Sequence, residues 1–156
     1  MAKSLSWQVI KQKAADLCAS RERTVKEVYE KLVRYGLSQE ESDQMVEELL
    51  NDGFINEARY AKAFCHDKFI FNKWGRVKIR YELLKKGLST TDIEAGLLVI
   101  GENDYRETAL QLLHNKAAAL KEKTPYKIKS KIVTYMIGKG YEPAFVMELY
   151  DDIREG

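Results

Sequence analysis

Val28-Tyr29-Glu30-Lys31-Leu32-Val33-Arg34-Tyr35-Gly36-Leu37-Ser38 returns, with substitutions, as Ile79-Arg80-Tyr81-Glu82-Leu83-Leu84-Lys85-Lys86-Gly87-Leu88-Ser89. The two stretches align without a gap at an offset of 51 residues, the separation of Gly36 from Gly87. In both, apolar residues recur at helical spacing up to a glycine, which can take the left-handed conformation that closes a helix. The serine two positions on can cap the next helix. A weaker third copy runs from Ile128 through Ile132 to Gly140-Tyr141, at an offset of 53 residues from Gly87 to Gly140.

Outward from these copies the pattern continues in both directions. Each leads into an amphipathic segment: Val46, Leu49 and Leu50 in the first, Ile93 and Leu97 in the second, Phe145, Val146 and Leu149 in the third. Each is preceded by another helical stretch, Trp7 to Cys18, Tyr60 to Phe71 and Tyr105 to Leu120. Start signals fall in order. Thr24 with Glu27, and Ser38 with Glu41, have capping-box spacing, Asn56 can cap a third helix, and Pro125 and Pro143 suit first turns. With only two prolines and nine glycines the chain is punctuated sparsely, and no segment shows the alternation of a strand. The expected fold is all-α: an elongated, curved tandem array of three three-helix, helix-turn-helix-like repeats. The expected boundaries are 1–55, 56–101 and 102–156. Each repeat needs its neighbours to bury its apolar face.

The middle repeat carries two stripes on one helix. Ile79 and Leu83 form one, and Val77, Tyr81 and Leu84 form a second on nearly the opposite side. Two accounts are open: neighbouring repeats cover both sides, or one stripe belongs to a protein-binding surface.

The charge is uneven although its net value is only +2. From Lys62 to Lys86 the basic residues are Lys62, Lys68, Lys73, Arg76, Lys78, Arg80, Lys85 and Lys86, against Asp67 and Glu82. A second basic stretch holds Lys116, Lys121, Lys123, Lys127, Lys129, Lys131 and Lys139, with Glu122 among them. Segregation of this kind suits a polyanion or an acidic partner. Cys18 and Cys65 sit in apolar helical patterns and read as buried hydrophobes in a reducing compartment. The start of the chain lacks the apolar core of a signal peptide, and no apolar run approaches the roughly 20 residues that span a bilayer. The cytoplasm is expected, with no membrane partner.

Catalytic constellations do not emerge. His66 and His114 lie in different repeats, and no phosphate loop, metal-spaced cluster or nucleophile elbow occurs. The paired acids Glu47-Glu48 and Asp151-Asp152 are adjacent on helical segments and diverge. Binding without catalysis, cofactor or metal is the expected mode.

Asn56-Glu57-Ala58-Arg59-Tyr60-Ala61-Lys62-Ala63-Phe64, followed by Trp74-Gly75-Arg76-Val77-Lys78-Ile79-Arg80-Tyr81-Glu82-Leu83-Leu84-Lys85-Lys86-Gly87-Leu88, resembles the central repeat of the RecX family. Leu49-Leu50-Asn51-Asp52-Gly53-Phe54-Ile55 resembles the junction before it. Two positions depart from the family pattern: Asn56 stands where Asp is frequent, and Arg76 where many members have Pro. The resemblance implies a non-enzymatic regulator of the bacterial RecA recombinase. Such a regulator binds the RecA–DNA nucleoprotein filament along its helical groove and mainly inhibits ATP hydrolysis and strand exchange, in recombination, repair and the SOS response. Single- or double-stranded DNA would be contacted without sequence preference.

On that reading, Lys73, Arg76, Lys78, Arg80, Lys85 and Lys86 form the main electrostatic contact, with Lys127 and Lys131 as a similar pair in the third repeat. Arg76 and Arg80, one helical turn apart, could engage one anionic feature together. Arg59 could serve a structural ion pair with an acid of the first repeat or a partner contact. Trp74 could plug an inter-repeat interface or present a flat face to a base or partner. Val77, Tyr81 and Leu84 complete the candidate contacts. A monomer is expected. Two rivals remain: a helix-turn-helix DNA reader acting without RecA, and an adaptor that holds only protein partners. The candidate recognition helices after Ser38 and Ser89 are acidic or apolar, which weighs against the first.

Overall fold

The computed structural model describes residues 6–155, and these form nine α-helices and no strand. In order they are α1 (Trp7–Ser20), α2 (Val25–Arg34), α3 (Gln39–Asn51), α4 (Glu57–Asn72), α5 (Arg76–Lys85), α6 (Thr90–Leu97), α7 (Glu102–Ala119), α8 (Pro125–Gly138) and α9 (Pro143–Glu155). The chain is an all-α array of helical repeats.

The repeat is written into hydrogen bonds as well as sequence. Gly36, Gly87 and Gly140 take φ values of 104°, 89° and 101° and close α2, α5 and α8. At each closure the next residue donates its N–H back five positions: Leu37 to Leu32, Leu88 to Leu83, Tyr141 to Met136. Leu32, Leu83 and Met136 are fully buried, as are Val28, Ile79 and Ile132 one turn earlier. The first helices match too, with Ile10, Ala14 and Cys18 in α1 answered by Ala61, Cys65 and Phe69 in α4 and by Tyr105, Ala109 and Leu113 in α7. Both cysteines are free and buried. The third copy is spaced differently. Tyr105 follows Ala61 by 44 residues whereas Gly140 follows Gly87 by 53, so the extra length lies in α7 and its connection to α8.

The helix starts follow their caps. Thr24 with Glu27 and Ser38 with Glu41 make complete capping boxes, and Asn56 Oδ1 accepts from the Arg59 N–H at 2.9 Å. Ser89 Oγ accepts from the Asp92 N–H, and Pro125 and Pro143 each open a helix.

Two compact units arise, and they group the chain differently from the repeat. The first is Met1–Ala63 with Leu83–Gly96, and the second is Phe64–Glu82 with Leu97–Gly156. The first unit has a core of Ile10, Ala14, Leu32, Met45, Leu49 and their neighbours. In it Gly96 leaves room for Ala61, because a Cβ at 96 would overlap that residue. Lys11 joins Glu48 and Asp52 across α1 and α3 at 3.0 and 3.1 Å. The second unit is centred on aromatic rings: Tyr105 lies 5.1 Å from Tyr141 and 5.3 Å from Phe145, with Phe69 at 6.0 Å.

Of the two stripes on α5, Ile79 and Leu83 are fully buried, while Val77, Tyr81 and Leu84 are 44%, 59% and 50% exposed. The second stripe is therefore left about half exposed.

Candidate nucleic-acid interface

The densest group of expected site residues lies at the turn from α4 to α5. Lys73 ends α4 with φ 58°, an unusual conformation for a non-glycine residue, and the Trp74 N–H turns back to the Lys68 carbonyl at 3.1 Å. This reversal lays the indole beside α4. Phe64 meets it edge-on at 6.4 Å, and the Lys68 and Lys78 ammoniums stand 5.0 and 4.6 Å from its centroid.

The turn is held by the stretch following α8 and by Tyr105 of α7. The Gly75 N–H donates to the Lys139 carbonyl at 2.8 Å, the Val77 N–H to the Gly140 carbonyl at 2.9 Å, and the Arg76 N–H to the Tyr105 hydroxyl at 2.9 Å. These bonds satisfy donors that a helix start leaves open. At the other side of the turn, Lys73 Nζ and Lys139 Nζ donate to the carbonyls of Ile70 and Asn72, and the Tyr141 hydroxyl donates to that of Lys73. The end of α4 has no basic residue in its last turn, so these ammoniums supply the complement to its dipole.

Arg76 is absorbed by this framework. Its guanidinium lies 3.9 Å from the Tyr105 ring centroid and pairs with Glu102 at 2.8 Å and Glu142 at 3.6 Å, leaving the side chain 19% exposed. A cation at a helix N-terminus is unfavourable, and α5 has no acid in its first turn. Glu102 and Glu142 provide the missing negative charge. Tyr105 donates its hydroxyl proton to Glu142. Burial foremost, and then this bond, push its pKa far above the ordinary tyrosine value. Burial does the same for Tyr141.

The other expected contacts divide. Lys78 and Arg80 are half-buried on α5, Lys73 and Lys85 are exposed, and Lys86 is half-buried. In the third repeat Lys127 is exposed, whereas Lys131 pairs with Glu122 at 2.6 Å. Arg59 forms an ion pair with Glu22 of the first repeat and donates to the Gly53 carbonyl at 3.2 Å, a structural placement. Of the paired acids, Glu48 serves Lys11 and Asp152 serves Arg106. His66 lies 3.1 Å from its neighbour Asp67, both well exposed. No group of three or more potential metal ligands occurs among the described residues, and no helix among them is long and apolar enough to cross a membrane.

Sequence reasoning missed Tyr105, Tyr141 and Glu142 as the holders of the turn, and Phe64 and Lys68 as companions of Trp74. Lys68 was accessible from spacing, since it stands four residues after Phe64 on one helix face.

Residues 11–49 match the family model described as the first three-helix domain of RecX, and residues 56–97 match the second. A curated relative in Clostridium acetobutylicum, "Regulatory protein RecX", is 30% identical over 149 residues, covering 92% of this chain and 68% of its own. The chain belongs to the RecX family.

A second relative of that name, in Clostridium beijerinckii, is 32% identical over 143 residues, covering 90% of this chain and 66% of its own. This RecX-family chain thus spans about two thirds of the length of those relatives. The crystal structure of RecX from Lactobacillus salivarius shares the fold, with a TM-score of 0.87 at 19% identity, covering 96% of this chain and 97% of that one. Both Clostridium relatives are named as regulatory proteins. The α4–α5 turn lies inside the second RecX domain, while Tyr105, Gly140 and Glu142, which hold it, come after both matched stretches.

Proposed function

We propose that this chain is a non-enzymatic regulator, mainly an inhibitor, of the RecA recombinase, binding the RecA–DNA filament and lowering its ATP hydrolysis and strand exchange. The family assignment carries this reading, and the cationic turn of the second RecX domain supports it. The repeats 1–55, 56–101 and 102–156 would serve as successive contacts along the filament. Lys73, Lys78, Arg80, Lys85 and Lys86 would provide the main electrostatic contact, with Lys127 adding to it. Arg76 would act by fixing the start of α5 rather than by meeting the partner. The exposed Val77, Tyr81 and Leu84 would give the apolar part of the contact.

A major-groove reader is disfavoured by the acids on α3, where Glu40, Glu41, Asp43 and Glu47 are all exposed and would repel phosphates. Phosphate contacts carry no sequence information, so sequence-independent binding is expected.

Binding to fluorescently labelled RecA–DNA filaments across a salt series tests the reading. Lys78→Ala with Arg80→Ala should weaken binding and flatten its salt dependence by about one to two phosphate contacts. Unchanged affinity and slope would remove this patch from the interface.

A further inference from the structure

Trp74 is half-buried beside Phe64, with two lysine ammoniums within 5.0 Å of its ring centroid. Four acids of the second unit are paired elsewhere: Glu102 and Glu142 with Arg76, Asp152 with Arg106, Glu122 with Lys131. Lys68 stands over the Phe64 ring at 5.5 Å as well as over the indole, and Lys78 over the indole, so both cations are held near Trp74 by aromatic rings. An ammonium–ring contact at a partly exposed site is weak and can be exchanged for a stronger partner. A ligand with a flat aromatic face and a nearby negative charge satisfies both elements at once. Its face replaces an ammonium on the indole, and the lysines swing a short way to its anion.

The geometry points to Trp74, flanked by Lys68 and Lys78, as a stacking site for an unpaired nucleotide of single-stranded DNA. Resting on the proposed DNA contact, this assignment names the form of DNA and the residue that selects it. Stacking needs an open base face, which a duplex interior does not offer, whereas every base of a single strand has one. The turn is suited to hold such a platform still: Gly75 and Val77 are hydrogen-bonded to Lys139 and Gly140, so the indole rides on a fixed backbone.

The chain has two tryptophans, so Trp7→Phe leaves Trp74 as its only indole reporter. Oligo-dT titrated into this variant should quench the Trp74 emission with the midpoint seen by anisotropy of the labelled strand, whereas a duplex of equal length should bind without quenching. Trp74→Ala should weaken single-strand binding about tenfold while leaving duplex binding unchanged. If Trp74→Ala does not fold, Lys68→Ala with Lys78→Ala in the Trp7→Phe background should lower the affinity measured by quenching. Binding of oligo-dT without quenching would overturn the stacking site and leave the DNA contact standing. No binding of either DNA by anisotropy would overturn both. Quenching by dTMP at the same concentrations would overturn the assignment to a strand.

Discussion

Gly75 and Gly140 meet backbone to backbone: a Cβ on Gly75 would overlap the Gly140 carbonyl, and one on Gly140 would overlap the Lys78 side chain. This contact joins the turn that carries Trp74, and the start of α5 with Lys78, to the turn that closes α8. Gly75→Ala should therefore cost about 3 kcal/mol, at the upper end of overpacking effects, because the opposing atoms are backbone and cannot rotate away. Gly138, the last residue of α8 with open space around it, gives the control: Gly138→Ala should stabilise by up to about 0.5 kcal/mol. Urea denaturation of the two variants against the parent measures both, and equal small effects would deny that the backbone contact constrains the fold.

Tyr105 links two groups through one hydroxyl, and Tyr105→Phe should cost about 1–3 kcal/mol by leaving the Arg76 N–H without its acceptor and Glu142 Oε1 without its hydroxyl donor. Its pKa is raised, so the folded state favours the protonated phenol. That stabilisation is complete below the unfolded value of about 10 and is lost as pH rises above it. The difference between parent and Tyr105→Phe, followed by denaturation, should shrink above pH of about 10.

Glu27 titrates at the opposite end. Burial acts to raise its pKa, but the Thr24 N–H and the Arg21 guanidinium at 3.1 Å outweigh it and hold the carboxylate below its ordinary 4.5. The stabilisation is present above that value and disappears as pH falls through the lower folded one. Glu27→Gln keeps an oxygen for the Thr24 N–H and loses the charge. Parent and variant should differ at neutral pH and converge in acid, as thermal melting at a series of pH values would show.

The two sides of α5 should respond differently to substitution. Ile79→Ala and Leu83→Ala should each cost about 2–5 kcal/mol, because both side chains are fully buried. Val77→Thr and Leu84→Gln should change stability by no more than about 0.5 kcal/mol, since each is about half exposed. Filament binding, by contrast, should fall for the second pair. A loss of stability from Val77→Thr comparable to that from Ile79→Ala would refute the assignment of faces.

The repeat was legible because it is local: glycine, cap and apolar spacing all fall within one helix and its closure, as at Leu32, Gly36 and Leu37. The resemblance quoted for 49–88 pointed to the family whose second domain model matches 56–97. Arg76 was not legible. In sequence it is one more cation in a basic run, and its acids lie 26 and 66 residues away at Glu102 and Glu142. The same distance hid Tyr141, which reaches the Lys73 carbonyl from 68 residues further along. The exposed stripe of α5 was visible as a pattern, but whether a neighbour covers it is decided by packing that periodicity does not encode.

The most direct test is to titrate the purified chain into RecA assembled on single-stranded DNA and follow ATP hydrolysis. The account predicts a fall in rate at protein well below the RecA concentration, diminished by Lys78→Ala with Arg80→Ala. An unchanged rate with the chain in excess over RecA would contradict it.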